Sequence, residues 1–383
     1  MGIILAIALA LTAGAGQAAA QAPAPSAPPA QQTEEQRWIF SDTQAALVPA
    51  RIAFPRQAGT LTARRTQEFS HEGEGVDNAL QYGSPDDAVF ATVYVYYPGL
   101  PHAGLAAFAT DEFIRVRETA TRISTPMRLV PAGGIPDVAI RIDYANYRGM
   151  ASSAAFMKAG RWLVKLRVSG PEARRAEVEA AMAALLQDMR FGAMNPAMAP
   201  HLISVSDCPA DSGRVAARAL PDPAGAEIAA HAFLATFDGG GNPATGEDGG
   251  RRDLPPRVPD RLCVTRLHIG DNVIPLLRGE SGAAISVDGR TMAVAILSDN
   301  GNALEVVHAA NLNRYVLLYH EIGGTSLLGG FDGVPSDAQI TEILTGANRE
   351  GTRVRVPVRF RPNRGPEMWL PSVAGASRPS ATN

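Results

Sequence analysis

Three short stretches alternate so regularly that they leave the chain little freedom in what it can fold into. VAIRIDY (138–144) puts Val138, Ile140, Ile142 and Tyr144 on one side and Arg141 and Asp143 on the other. WLVKLRV (162–168) does the same with Trp162, Val164, Leu166 and Val168 against Lys165 and Arg167, and ATVYVYY (91–97) alternates in the same way. A period of two residues means strands with one face buried, the signature of an antiparallel sheet. The spacing of Leu105, Phe108, Ala109, Phe113 and Val116 predicts a helix between the first and second stretches. Val178, Met182, Leu185 and Met189 predict another after the third, with Ser169-Gly170-Pro171 as its cap. Strands, helix, three strands, helix is an antiparallel sheet with helices over one face.

The two prolines of GAMNPAMAP (192–200) close this region. We therefore expect an α+β fold of two domains, 38–192 and 200–362, each a mainly antiparallel sheet with one or two covering helices. In the second domain, strands are expected at 262–269, 273–278, 283–287, 291–298, 303–308 and 313–322, with VDGRT as a hairpin turn. Residues 336–347 read as a capped helix ending at Gly346, and 226–237 as another. TRVRVPVRF (352–360) alternates, with Pro357 arguing for an edge strand. The Gly, Pro and Asp of 238–260 predict a long surface loop.

The order of elements over residues 38–192 resembles the PsbP/DcrB-type α/β sandwich. That resemblance implies a small non-catalytic protein of the envelope or of a photosystem, working by binding or assembly.

The chain ends constrain where the protein works. Residues 3–13 are an apolar run followed by Ala18-Ala19-Ala20, the pattern of a signal peptide covering 1–20. An uncleaved anchor is the alternative reading, but the run is about half of the ~20 residues a membrane span needs. The Pro/Ala-rich leader 21–37 and the tail 371–383 carry few core-forming residues and read as flexible. The expectation is a periplasmic or secreted protein with no integral membrane segment after cleavage. In an oxidising compartment Cys208 and Cys263, the only cysteines, are expected to pair. Closing that loop is worth roughly 3–4 kcal/mol. Two buried thiols are the alternative.

The formal charge is −3 and Lys/Arg runs do not exceed pairs, so nucleic acid is not an expected partner. The expected partner is a protein or an envelope component. No metal or cofactor motif is present.

One stretch carries a hint of chemistry. Gly279-Glu280-Ser281-Gly282 followed by AAISVDGRTMAVAILS resembles the nucleophile region of trypsin-like serine proteases, which implies Ser281 as the nucleophile. Glu280 stands where that family usually has Asp, and Ala283 where it usually has Gly. None of His71, His102, His201, His231, His268, His308 and His320 lies in the family's Ala-Ala-His-Cys context. His308, His320 and Glu321 could converge at a sheet edge as a metal site, and a free face of Tyr94, Tyr96 and Tyr97 could bind a partner. Carboxylates such as Asp143 and Glu305 read as parts of solvated faces. The chain therefore reads as a non-catalytic binding, assembly or envelope-maintenance protein. A serine hydrolase using Ser281 and a small-molecule or metal-binding module are the alternatives.

Overall fold

The computed structural model describes residues 37–70, 75–117, 121–122, 126–210, 215–220, 262–279, 285, 291–309, 313–346, 356–359, 362 and 367–368. The expected signal peptide (1–20), the expected leader up to residue 36, the helix expected at 226–237, the loop expected at 238–260, the tail expected at 371–383, His71, His231 and Ser281 lie outside these residues. Three sheets and three helices are described: α1 (Ala103–Arg117), α2 (Arg175–Asp188) and α3 (Asp337–Thr345). The architecture is mostly antiparallel sheet with few helices, as expected of the sheets, but it is β-rich rather than clearly α+β.

The strands of the first two sheets fall between Trp38 and Met198. A small four-stranded sheet takes Trp38–Phe40, Gln44–Leu47, Ile52–Pro55 and Arg190–Phe191. A larger middle sheet has Phe90–Tyr96, Trp162–Pro171, Met150–Ala159 and Ile135–Tyr147 as adjacent antiparallel strands. The third sheet runs from Val205–Asp207 to Glu367–Met368, and its neighbours follow chain order.

The layers follow from which side chains each face buries. Trp162, Val164, Leu166 and Val168 meet α2 and the small sheet through Val178, Met182, Leu185, Leu47 and Phe54. The opposite face of the middle sheet is buried too, and this departs from the one-face expectation. Ile140, Ile142, Tyr144, Phe156 and Leu163 pack against Ala103, Ala106, Ala107 and Ile114 of α1. The other side of α1 presents Leu105, Phe108 and Ala109 to Leu262, Val264, Leu277 and Val294 of the third sheet. α1 thus lies between two sheets, as a helix apolar on both sides must. Its alanines allow close approach on one side, and each buried Leu or Phe on the other contributes about 1.5–3 kcal/mol. Beyond the third sheet, Ile340 and Ile343 of α3 cover Leu276, Leu304, Leu317 and Leu328.

Lys165, expected in solvent, is consequently buried. Its Nζ lies 2.5 Å from Asp299 Oδ2 and 5.5 Å from the centre of the Tyr94 ring. Thr110 Oγ1 donates to the same Asp299 oxygen at 2.7 Å. Tyr96 is buried in the α1 interface and Tyr97 packs on the other core, so neither forms a free face. Asp143 is buried as well, accepting from Ser153, Arg128 and Arg141.

α3 starts and stops as its sequence dictates. Ser336 Oγ accepts from the Gln339 amide in a capping box, and Gly346 ends the helix at φ 67°. α2 does not use the expected Ser169 cap. The preceding strand continues through Pro171, Ser169 Oγ is 2.8 Å from Ser152 Oγ, and the helix begins at Arg175. The strand Gly324–Phe331 escaped the pattern because three glycines dilute its alternation. Pro357 lies in Val356–Arg359, second from the sheet edge, where only Val358 and Arg359 pair with the outer strand.

Cys208 and Cys263 form a disulfide with Cα atoms 4.6 Å apart. It ties the chain just after the edge strand Val205–Asp207 to the strand with which that edge pairs in parallel. Among the described residues no helix is long and apolar enough to cross a membrane.

Candidate functional site

With Ser281 outside the described residues, the strand before its hairpin is described only as far as Gly279. Arg278 near the strand end is buried and donates to Asp337 Oδ1 (2.6 Å), the first residue of α3.

The described structure nevertheless assembles a hydroxyl, an imidazole and a carboxylate elsewhere. His320 Nε2 is 2.8 Å from Glu305 Oε2, and its Nδ1 is 2.9 Å from Thr325 Oγ1. Thr291 Oγ1 donates to the other Glu305 oxygen at 2.6 Å. The order Thr325, His320, Glu305 is that of a nucleophile, its base and the acid that orients the base.

Strand register produces this row. His320 pairs directly with Thr325 and with Ala303, while Glu305 pairs with Leu318, two residues from His320 on the same face. Direct and diagonal neighbours on one face of a sheet lie within side-chain reach. No local motif announces the row, because its four members come from four different strands. Only the register of the 303–321 hairpin, combined with the strand at 324–331, could have revealed it.

The row is closed over. The face that carries it looks toward the middle sheet, and Gly99 lies directly on it. A Cβ added at Gly99 would collide with Thr325 Oγ1 and the Gly324 carbonyl, and would stand 2.9 Å from His320 Nδ1. The segment is held there by Gly99 N–H donating to the Glu321 carbonyl and Gly323 N–H donating to the Tyr97 carbonyl, both at 2.8 Å. A substrate carbonyl has no approach to Thr325 in this arrangement. The chemistry left to the row is structural, satisfying polar groups between two layers.

The other histidines do not join it. His308 stacks on Tyr315 at 4.7 Å, five register positions from His320, which is about 17 Å along a strand. Glu321 follows His320 and so points to the other face of the strand. The expected convergence of His308, His320 and Glu321 is therefore not formed. Among the described residues no group of three or more His, Cys, Asp or Glu is placed to hold a metal ion.

His102 and Asp77 are among the groups whose proton affinities are displaced. The His102 ring accepts from the Leu105 amide (3.1 Å) at the start of α1, and its pKa is lowered to about 4 by burial, with Lys158 and His201 adding to the effect. Burial raises Asp77 to about 6.

An open cavity of about 620 Å³, its lining about equally polar and apolar in surface, lies beside the small sheet. Its walls include the carboxylates Asp42 and Asp188, the guanidinium groups Arg56 and Arg190 and the amides Gln44 and Gln57. The hairpin turn after Phe40 supplies Asp42 and Gln44, held by Ser41 N–H donating to the Gln44 carbonyl (2.9 Å). The C-terminal end of α2 supplies Asp188, and Arg190 follows. The two arginines are occupied within the protein. Arg190 Nη1 donates to the Met189 (2.8 Å) and Gln187 (3.2 Å) carbonyls, while Arg56 Nη1 donates to the Ser41 carbonyl (3.3 Å). Arg56 also lies 5.8 Å from the centre of the Phe40 ring, which is 47% exposed. Among the described residues the two carboxylates have no hydrogen-bond or ion-pair partner, and Gln44 Oε1 is buried without one. Sequence reasoning missed this cavity, since its walls come from segments more than a hundred residues apart and none belongs to a motif.

The chain matches no known protein-family model, and a search of curated proteins finds no similar sequence.

Proposed function

We propose that this is an exported, non-catalytic binding protein that works through the open cavity beside the small sheet. The observation that carries the reading is a contrast between two sets of polar groups. The Thr325–His320–Glu305 row has catalytic order but is spent under Gly99. The carboxylates of Asp42 and Asp188 line an open cavity and have no protein partner among the described residues. Polar groups held open to solvent and left unpaired are available to a ligand, whereas buried and paired ones serve the fold. The disulfide fits an oxidising compartment. A binding or assembly role is also what the resemblance of residues 38–192 to PsbP/DcrB-type proteins implies.

The experiment is covalent labelling of the purified protein with a fluorophosphonate probe, read by intact mass, on the parent and on Ser281→Ala. The reading expects no Ser281-dependent adduct. An adduct on the parent that disappears in Ser281→Ala would overturn it in favour of the hydrolase.

A further inference from the structure

We infer that the ligand of the cavity is a neutral, hydroxyl-rich molecule, an oligosaccharide in chemical class. The inference rests on the binding reading above and names what binds.

Charge is the first argument. Asp42 and Asp188 offset Arg56 and Arg190, so the walls present no net formal charge. An anion would have to desolvate next to two unpaired carboxylates. A cation would have to do so next to two guanidinium groups, and burying a charge beside its like is costly. Neither ion is favoured.

Hydrogen-bonding capacity is the second. The arginine donors are partly committed to main-chain carbonyls, while both carboxylates and the buried Gln44 Oε1 retain unused acceptor positions. Gln57 adds an amide, and Thr43 and Thr62 add hydroxyls that can donate or accept. A ligand matching this surface must donate several hydrogen bonds from neutral groups and accept a few. Hydroxyls do both, and a carboxylate can accept from two neighbouring hydroxyls at once.

Shape and polarity are the third. Pro55 is the one apolar residue of the wall, yet about half of the lining surface is apolar, so a matching ligand must present C–H groups as well as hydroxyls. The volume falls in the range of small-ligand sites, roughly 300–1,000 Å³. Phe40, half-exposed and near the lining residue Arg56, presents an aromatic ring of the kind that attracts polarised C–H groups such as those of a sugar ring.

The test is titration of the full mature chain, followed by isothermal calorimetry, with four probes: maltotriose, chitotriose, spermidine and citrate. Asp188→Asn, Phe40→Ala and the distant control Arg65→Ala are titrated in parallel. Circular dichroism and the melting temperature confirm that each variant folds. We expect at least one trisaccharide to bind, with Asp188→Asn and Phe40→Ala each weakening it about tenfold or more and Arg65→Ala leaving it unchanged. Binding of spermidine or citrate at the cavity without either trisaccharide would overturn the saccharide inference while leaving the binding reading standing. Trisaccharide binding that neither cavity variant weakens would overturn the assignment to this cavity. No heat from any probe at millimolar concentration would overturn both the inference and the role given to the cavity.

Discussion

His320 and Glu305 share a 2.8 Å contact in a row whose two ends are threonine hydroxyls, and all four side chains belong to the third sheet. The pair is buried, and removing Glu305 leaves His320 Nε2 without its hydrogen-bond partner while Nδ1 keeps Thr325. Leaving a buried polar group unsatisfied, together with the packing lost by the truncation, costs about 2–4 kcal/mol. Glu305→Ala is expected to lose stability in that range, whereas Thr291→Val, which removes one neutral donor, should cost about 1–2 kcal/mol. Urea unfolding of the parent and both variants checks the order. Equal losses in the two variants would mean that the imidazole contributes little.

Gly99 is required by proximity rather than by backbone angle. Gly99→Ala drives a methyl group into Thr325 Oγ1 and the Gly324 carbonyl, and forcing an atom into a packed interior costs about 1–3 kcal/mol. Thr325→Ala in the same chain removes one of the three obstacles, the others being the Gly324 carbonyl and His320 Nδ1, and should recover part of the loss. The other two remain, so recovery should be incomplete. Hydrogen exchange at the Gly323 amide, which donates to Tyr97, should quicken in the single variant before any global change.

The disulfide closes a loop between positions 55 apart. Replacing both cysteines with serine is expected to lower stability by about 2–5 kcal/mol, measured by chemical unfolding under otherwise identical conditions. Reducing the parent protein with dithiothreitol should reproduce that loss and leave the double variant unchanged.

The regions legible in the sequence are those where one residue type repeats at one period. The alternation of 138–144 and 162–168 marked strands, and Ser336 with Gly346 marked both ends of α3, because these signals are local. The surroundings of Lys165 were not legible. Alternation says which side chains share a face but not whether a second layer covers that face. Here α1 and the third sheet cover it, and Lys165 meets Asp299, 134 residues away. The helical stripe of Leu105, Phe108, Ala109, Phe113 and Val116 marks one apolar side of α1 in the sequence. Its opposite side is mostly alanine, with Ile114, and the small size of the alanines hides their burial from a pattern search. The cavity walls and the His320 row share this limit, since they depend on register and on contacts between distant segments.

Acid should weaken the start of α1. Neutral His102 Nδ1 accepts the Leu105 N–H, and a protonated ring cannot accept at that atom. Its pKa is lowered to about 4 in the folded chain, against roughly 6.5 when unfolded. The unfolded chain therefore takes up the proton first as pH falls. Stability from the neutral ring is complete above about pH 6.5 and is lost progressively toward pH 4. His102→Asn keeps a capping acceptor but does not titrate. The difference in melting temperature between parent and variant should move in favour of the variant between pH 6.5 and 4. A difference that is flat across that interval would show that the ring is not the responsible group.

Asp77 bears the opposite sign. Burial raises it to about 6 from 3.8, and its Oδ1 is buried with no partner. The folded chain then holds the proton more tightly than the unfolded one. Ionisation costs stability as pH rises from about 4 through 6, and the cost is complete above that. Asp77→Asn presents a similar shape without the charge, so it should stabilise the protein at pH 7.5 by about 1–2 kcal/mol, allowing for partial exposure to solvent. The gain should shrink to near zero below pH 4, where the parent carboxyl is protonated in both states. Thermal unfolding at pH 7.5 and pH 3.5 tests both halves. A gain that persisted at the lower pH would trace the effect to packing or hydrogen bonding of the amide rather than to the charge of Asp77.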